Sequence, residues 1–378
     1  MRFQSKILWG LCSCILLTSA MFRGGQVNAA EIGPAHQFWK NLCDFQLVGE
    51  IVEGDLSRWK RAGVNGTICL NSNGGSLAEA LKIAKSGHWT GTVVPDGATC
   101  ASACSIIFLS GRTFGTSNFS ISRVLYPGGI LGFHSPFLNI DDTRTYRSAD
   151  LQEVYNLSKE TFLHLFELTL SREQGGSRNK ISPELLFNML NTSPDKLYVI
   201  KYIYDIINND IDIPDIDSDP KYNVKQILKN ICVNYISSKW KNWVLYDERR
   251  VDYKNFMSAI ENTTDSDDFK ILYPANEFDI HSQSEQYAIL QDFFHPAYGS
   301  AGSSYMTCII KTHASDERII NNNFQIKVLN STFVYLSNDN GKLNDFLNDI
   351  YDWVQIKPYY IFRYDTKIRD LKVKENQW

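Results

Sequence analysis

Beyond its first thirty residues the chain has no apolar run approaching the roughly 20 residues that a membrane-spanning helix needs. Basic residues are not in excess. Lys and Arg number 38 against 42 Asp and Glu, for a net charge of −4 with no basic stripe, which argues against nucleic acid as a partner. A Walker A phosphate loop is missing, so no ATP-driven step is expected. There is no G-x-S-x-G elbow, and no His or Cys pairs stand at zinc-ligand spacing. Neither a metal nor a cofactor is therefore expected.

What is present begins with an export signal. Arg2 and Lys6 precede an apolar run over Ile7–Phe22, and the small residues of Val27–Ala30 offer a cleavage site. Residues 1–30 are thus read as a signal peptide, with an uncleaved membrane anchor as the lesser alternative, and the mature chain as periplasmic or secreted. That chain keeps Cys43, Cys69, Cys100, Cys104, Cys232 and Cys308. An even number in an oxidising compartment favours disulfides, whose connectivity sequence cannot choose. Cys100 and Cys104 either bridge locally and brace the residues between them or are buried thiols behaving as small hydrophobes.

Between residues 31 and 203 the pattern alternates. Strands are expected at Phe45–Val52, Gly66–Ser72, Thr90–Gly97, Ile130–Pro136 and Lys196–Ile200. Helices are expected at Asp55–Ala62, Ser76–Gly87, Ser102–Ser110, Ala149–Ser171 and Pro183–Leu190. Short connections between alternating elements imply parallel strands with crossover helices, an α/β fold. Tyr204–Tyr222 is rich in Asp and Ile. Its Asp215, Asp217 and Asp219 are spaced like calcium ligands, but Pro220 stands where an EF-hand needs Gly, so 204–222 reads as a solvated acidic linker. Residues 223–378 read as an α+β extension, with a helix over Val224–Trp243 and strands at Met306–Lys311, Phe324–Val328 and Thr332–Leu336. A further helix is expected over Lys342–Val354.

The chemistry concentrates in three places. Ser102 sits in "GATCASACSIIFLSG", Gly74 and Gly75 break the chain after a buried strand, and His134 lies in "LGFHSP". A serine hydroxyl needs a base within hydrogen-bond reach and amide donors for the oxyanion. A helix starting at Ser102 leaves the Ala103 amide free, and a Gly-Gly turn brings a second amide close because no Cβ obstructs it. Taken singly, Ser102 also fits a helix cap, His134 a core histidine and the glycines a plain turn.

Together and in order, these motifs resemble the Clp protease proteolytic subunit. "NSNGGSL" is similar to that family's "NSPGGS", "GATCASACSIIFLSG" to "GxAASMGxxLLxAG", "GFHSP" to "IHQP", and "TSPDKL" at Thr192–Leu197 to "TERDRF". The resemblance covers roughly Phe45–Ile200 and is nearest to exported Clp-like proteins of bacteria. It implies a Clp/crotonase-like ββα spiral with Ser102 as nucleophile, His134 as general base and Asp195 orienting it. The amides of Gly75, in the Gly74–Gly75 turn, and Ala103 would form the oxyanion hole. Asn73 replaces the family's proline and Cys104 a glycine, the Ser102-to-His134 spacing is longer, and Asn191 or another acid stands open as an alternative to Asp195. The expectation is an exported, ATP-independent serine peptidase acting on polypeptides, with oligomerisation open and no ATPase partner. The alternatives are a catalytically silent binding or scaffolding protein, and an acyl ester or thioester hydrolase.

Overall fold

The computed structural model describes residues 29–86, 90–114, 119–136, 147–170, 182–216, 226–227, 230–235, 269–270, 286–294, 305–312, 324–330, 354–355 and 357–373. The signal peptide, apart from Ala29 and Ala30, lies outside them. So do the strand expected at Thr332–Leu336 and all but the end of the helix expected over Lys342–Val354.

The chain runs β1 (Glu31–Pro34), β2 (Phe45–Val48), α1 (Asp55–Ala62), β3 (Gly66–Asn71), α2 (Leu77–Lys85), β4 (Thr90–Val94), β5 (Thr99–Ala101) and α3 (Ala103–Leu109). It continues with β6 (Arg112–Phe114), β7 (Phe119–Ile121), β8 (Arg123–Leu125), β9 (Ile130–Phe133), α4 (Ser148–Leu170), α5 (Pro183–Asn191), β10 (Tyr198–Val199) and α6 (Ile203–Asn208). Strands β2, β3, β4 and β8 lie parallel, in the sheet order β1-β2-β3-β4-β8, with β1 antiparallel at the edge. A second sheet, β10-β9-β5, pairs β5 with β9 in parallel and β9 with β10 antiparallel.

Local chemistry accounts for these elements. Ile68, Cys69 and Leu70 of β3 are wholly buried, as expected of a strand covered on both faces. α1 stops at Gly63, which takes the left-handed conformation open to glycine. The Ser76 hydroxyl caps α2 by accepting from the Glu79 N–H at 3.3 Å. α3 is buried along its whole length. α4 packs on α5 and α2. Leu165 is buried, while Leu151 and Phe162 are exposed.

Glu79 joins α2 to α1. Its carboxylate accepts from the N–H groups of Gly54 at 3.1 Å and Leu56 at 2.7 Å, at a helix start that has no side-chain cap of its own. Burial opposes its ionisation, but the bonds from Leu56, Lys82 and Gly54 outweigh that and hold its carboxyl below the ordinary 4.5.

The Asp-rich stretch expected as a solvated linker is, over its described part, packed structure. α6 and the residues after it bury Ile206, Ile207, Ile211, Ile213 and Ile216. Asp205 is buried too, and burial pushes its carboxyl up despite bonds from the Lys201 and Tyr202 N–H groups and the Tyr198 hydroxyl. Asp212 pairs with the edge of the first sheet, its N–H donating to Arg123 and its carbonyl accepting from Leu125. Isoleucine spaced among the aspartates fills the core; aspartate count alone misreads the stretch.

Residues 357–373 return to the same core. Tyr359, Tyr360, Ile361 and Phe362 are buried, Ile203 and Tyr204 donate to the carbonyls of Thr366 and Tyr364, and Ile368 donates to Lys201. Asn230 and Asn234, on a helical stretch, donate to the carbonyls of Tyr360, Ile361 and Phe362. Between these segments lies an antiparallel sheet of β11 (Phe269–Lys270), β12 (Gln286–Phe294), β13 (Tyr305–Thr312), β14 (Phe324–Asn330) and β15 (Val354–Gln355), in that order. Val354, expected to end a helix, is therefore in a strand.

Disulfides join Cys43 to Cys69 and Cys100 to Cys104, and Cys232 is also disulfide-bonded. They fit an oxidising, exported compartment. Among the described residues no helix is long and apolar enough to cross a membrane.

Glu79→Gln keeps an acceptor but removes the charge, and is expected to cost about 1 kcal/mol at pH 7 in denaturant titration. A depressed carboxyl stabilises the fold above its unfolded value and loses that contribution as pH falls. The gap between wild type and variant should therefore narrow as pH drops through 4.5.

Candidate functional site

The end of β3 crosses from one sheet to the other. The Ser72 N–H donates to Thr99 at 2.6 Å, the Ala101 N–H donates back to Ser72 at 3.0 Å, and the Asn71 side chain accepts from the Thr99 N–H at 3.1 Å. The chain then turns through Gly74 and Gly75, at φ 108° and 128°. The Gly74 N–H donates to the Ser72 hydroxyl, its carbonyl accepts from the Ile51 N–H at 2.8 Å, and the Ser76 N–H donates to Ile51 at 2.7 Å. The glycine pair is thus gripped between the continuation of β2 and the β5–α3 junction.

Both positions require glycine. A Cβ on Gly74 would lie 2.7 Å from the Ser102 Cβ and 3.1 Å from the Ala103 nitrogen. On Gly75 it would lie 2.2 Å from the Ile51 carbonyl oxygen. The turn lies against the serine at backbone-to-side-chain contact.

Ser102 occupies the single residue between β5 and α3. Its backbone is at φ 55° and ψ −123°, a region that non-glycine residues avoid at a cost of about 1–3 kcal/mol. Its N–H donates to Gly132 at 3.1 Å, and its carbonyl accepts from the N–H and hydroxyl of Ser105. Ala101 and Ala103 are buried while Ser102 is half-buried. A straight continuation of β5 would put its side chain on the face of Phe133, which is in the core. The turn at positive φ takes it out. This is a strand–serine–helix elbow built without the glycines that usually announce one. Among the described residues, neither the Gly75 nor the Ala103 N–H donates to a protein acceptor.

His134 follows β9 directly. The pairing of Ala101 with Gly132 sets Ser102 alongside the end of that strand, so His134 emerges next to the β5–α3 junction. Its Nδ1 lies 2.8 Å from the Ser135 carbonyl oxygen. A carbonyl only accepts, so Nδ1 is the donor in this contact. The imidazole is half-buried.

Asp195 lies in the turn between α5 and β10, exposed to solvent. The Ser193 side chain and its own backbone N–H hold its carboxyl below the usual carboxylate range. That turn runs beside the histidine segment, since the Ser135 N–H donates to Thr192 at 3.0 Å and Tyr198 pairs with Phe133. Asn191, the alternative, donates its amide to Phe187 within α5. The structure therefore brings Ser102, Gly74 and Ala103 into one contact group, with Gly75 next in the chain and His134 on the adjoining strand end. Asp195 stands on the neighbouring loop with its carboxylate engaged by Ser193.

A cleft of about 500 Å³ adjoins the glycine turn, walled by Val48, Glu50 and the Asn71–Gly75 stretch. Among the described residues no group of three or more His, Cys, Asp or Glu is placed to hold a metal ion. Two features escaped sequence reasoning. One is the elbow backbone at Ser102, whose only trace in the sequence is a serine midway between two cysteines four apart. The other is the Ser135 carbonyl as partner of the imidazole, which leaves no trace because every residue carries one.

No family model matches the chain, and no curated protein does. Among solved structures, a ClpP1 mutant from Listeria monocytogenes is similar over 41% of this chain and 80% of that chain, at 17% identity and a TM-score of 0.27. A likeness at that score carries no argument about activity.

Gly74→Ala and Gly75→Ala are both expected to destabilise the fold. Gly75→Ala drives a side chain into the Ile51 carbonyl and should lower stability by about 2 kcal/mol or more in thermal or denaturant unfolding. Gly74→Ala brings its Cβ to 2.7 Å from the Ser102 Cβ and 2.9 Å from the Ala101 carbonyl oxygen, and should lower stability by a similar amount in the same measurement.

Proposed function

We propose that this chain is an exported, ATP-independent serine peptidase on a Clp/crotonase-like scaffold. The observation that carries the reading is the strained elbow at Ser102, set against the Gly74–Gly75 turn with the Gly75 and Ala103 amides both uncommitted. Strain of this kind persists only where the surroundings over-determine it, and it gathers at reacting groups. A helix cap needs no such backbone.

In this mechanism the Ser102 hydroxyl attacks a peptide carbonyl while the Nε2 atom of His134 takes its proton, a step worth about 10²–10⁴ in rate. The oxyanion forms between the amides of Gly75 and Ala103, at about 2.7–4 kcal/mol for each donor. The intermediate collapses, His134 returns the proton to the departing amine, and an acyl-enzyme on Ser102 remains. Water, deprotonated by the same imidazole, then releases the acid. The cleft beside the glycine turn is proposed to receive the substrate chain. The Ser135 carbonyl already fixes the tautomer of His134, so Asp195 is assigned the lesser task of steadying the imidazolium once it is charged.

The test is covalent labelling of the mature protein with a fluorophosphonate. Wild type should label, whereas Ser102→Ala and His134→Ala should not. Folded wild type that fails to label, or labelling that survives Ser102→Ala, would leave only a silent binding or scaffolding protein. Peptide cleavage set beside acyl-ester and thioester cleavage decides the substrate class. Asp195→Asn is expected to slow labelling by about tenfold or less; a fall near 10⁴ would give Asp195 the full orienting role instead.

A further inference from the structure

The Cys100–Cys104 disulfide brackets Ser102 at its midpoint, one sulfur on β5 and the other in the first turn of α3. Resting on the peptidase reading, we propose that this bridge is a positioning device for the nucleophile and an oxidation-dependent licence for activity. In this proposal the elbow at Ser102 is completed only when the bridge closes, so the reduced chain is inactive and the exported one active.

The geometry carries the claim. Four residues of extended chain would reach about 13–14 Å, whereas the bridge holds the Cys100 and Cys104 Cα atoms 5.2 Å apart. Two backbones satisfy so short a span: a continuous helical turn, or a sharp corner within Ala101–Ala103. Pairing of Cys100 with Leu131 and Ala101 with Gly132 excludes the helical turn. The corner therefore falls on Ser102, the one residue of the five outside both β5 and α3 and the one at positive φ. Gly74 packs on the same corner.

Closure is an exchange with an external disulfide. Cys100 and Cys104 together lose two protons and two electrons, the sulfur–sulfur bond forms between them, and the external disulfide leaves as two thiols. Both sulfurs belong to wholly buried residues, so the closed bridge is shielded from reductants in the folded protein. It acts as a latch set once on export, not as a reversible switch. The Cys43–Cys69 bridge, which ties the segment before β2 to β3, encloses no reacting group and serves as the control.

The experiment compares wild type, C100A/C104A and C43A/C69A as full mature chains, each confirmed folded by near-UV circular dichroism. C100V/C104A is included to fill the volume of the lost sulfurs. The first readout is the second-order rate of fluorophosphonate labelling. It should fall at least 10-fold without the Cys100–Cys104 bridge and stay within 2-fold without Cys43–Cys69. A folded C100A/C104A that labels within 2-fold of wild type overturns the proposal. So does failure of both bridge variants to fold, which would make the bridge a folding requirement.

The second readout needs no activity. Ser102→Gly should raise Tm when the bridge is present, by relieving the strained φ, and should raise it less when the bridge is absent and Ser102 has already relaxed. A bridge acting only on the unfolded chain gives equal shifts in both backgrounds, which overturns the proposal. Wild type that never labels removes the peptidase reading, while this second comparison still decides whether the bridge holds the elbow.

Discussion

The contact between Gly74 and Ser102 is what the rest of the site depends on. A serine held at φ 55° is unstable unless neighbours on several sides leave it no alternative. Here the Gly132 carbonyl takes its N–H, Ser105 donates to its carbonyl, and Gly74 presses on its Cβ position without a side chain of its own. Remove any of these and the backbone has somewhere easier to go. The same packing places Ala103 and the Gly74–Gly75 turn directly beside the serine.

The glycine turn depends in its own right on the sheets. Ser72 leaves the first sheet to pair with Cys100 in the second, and Ile51 extends β2 just far enough to hold Gly74 and Gly75 from behind. Three strand ends from two sheets therefore meet within a few residues. Ligands commonly sit where parallel strands end at their carboxyl edges, and the cleft walled by Val48, Glu50 and Asn71–Gly75 lies there.

Stability is closed from far away in the chain. Residues 357–373 return to cover α6 and the segment after it, with aromatic side chains in the core and backbone bonds to Ile203, Tyr204 and Lys201. The five-stranded antiparallel sheet is therefore inserted between segments of one core and does not follow it as an appendage. Glu79 plays a comparable part on a smaller scale, capping a helix that begins at glycine and has no cap of its own.

Short-range order was legible in the residues. The strand at Gly66–Asn71 and the helices at Asp55–Ala62, Leu77–Lys85, Ser148–Leu170 and Pro183–Asn191 follow from apolar period and glycine stops, read from near neighbours along the chain. That cysteines would pair was legible too, because an even cysteine number is a property of composition. The return of residues 357–373, the packing of the Asp-rich stretch, the pairing of Cys100 with Cys104 and the elbow at Ser102 were decided only by tertiary structure. Each depends on distances between groups remote in sequence or on a backbone angle that neighbours impose. Residue identity sets what a side chain can donate, accept or bury. Which partner it meets, and at what angle, is settled only when the whole core closes around it.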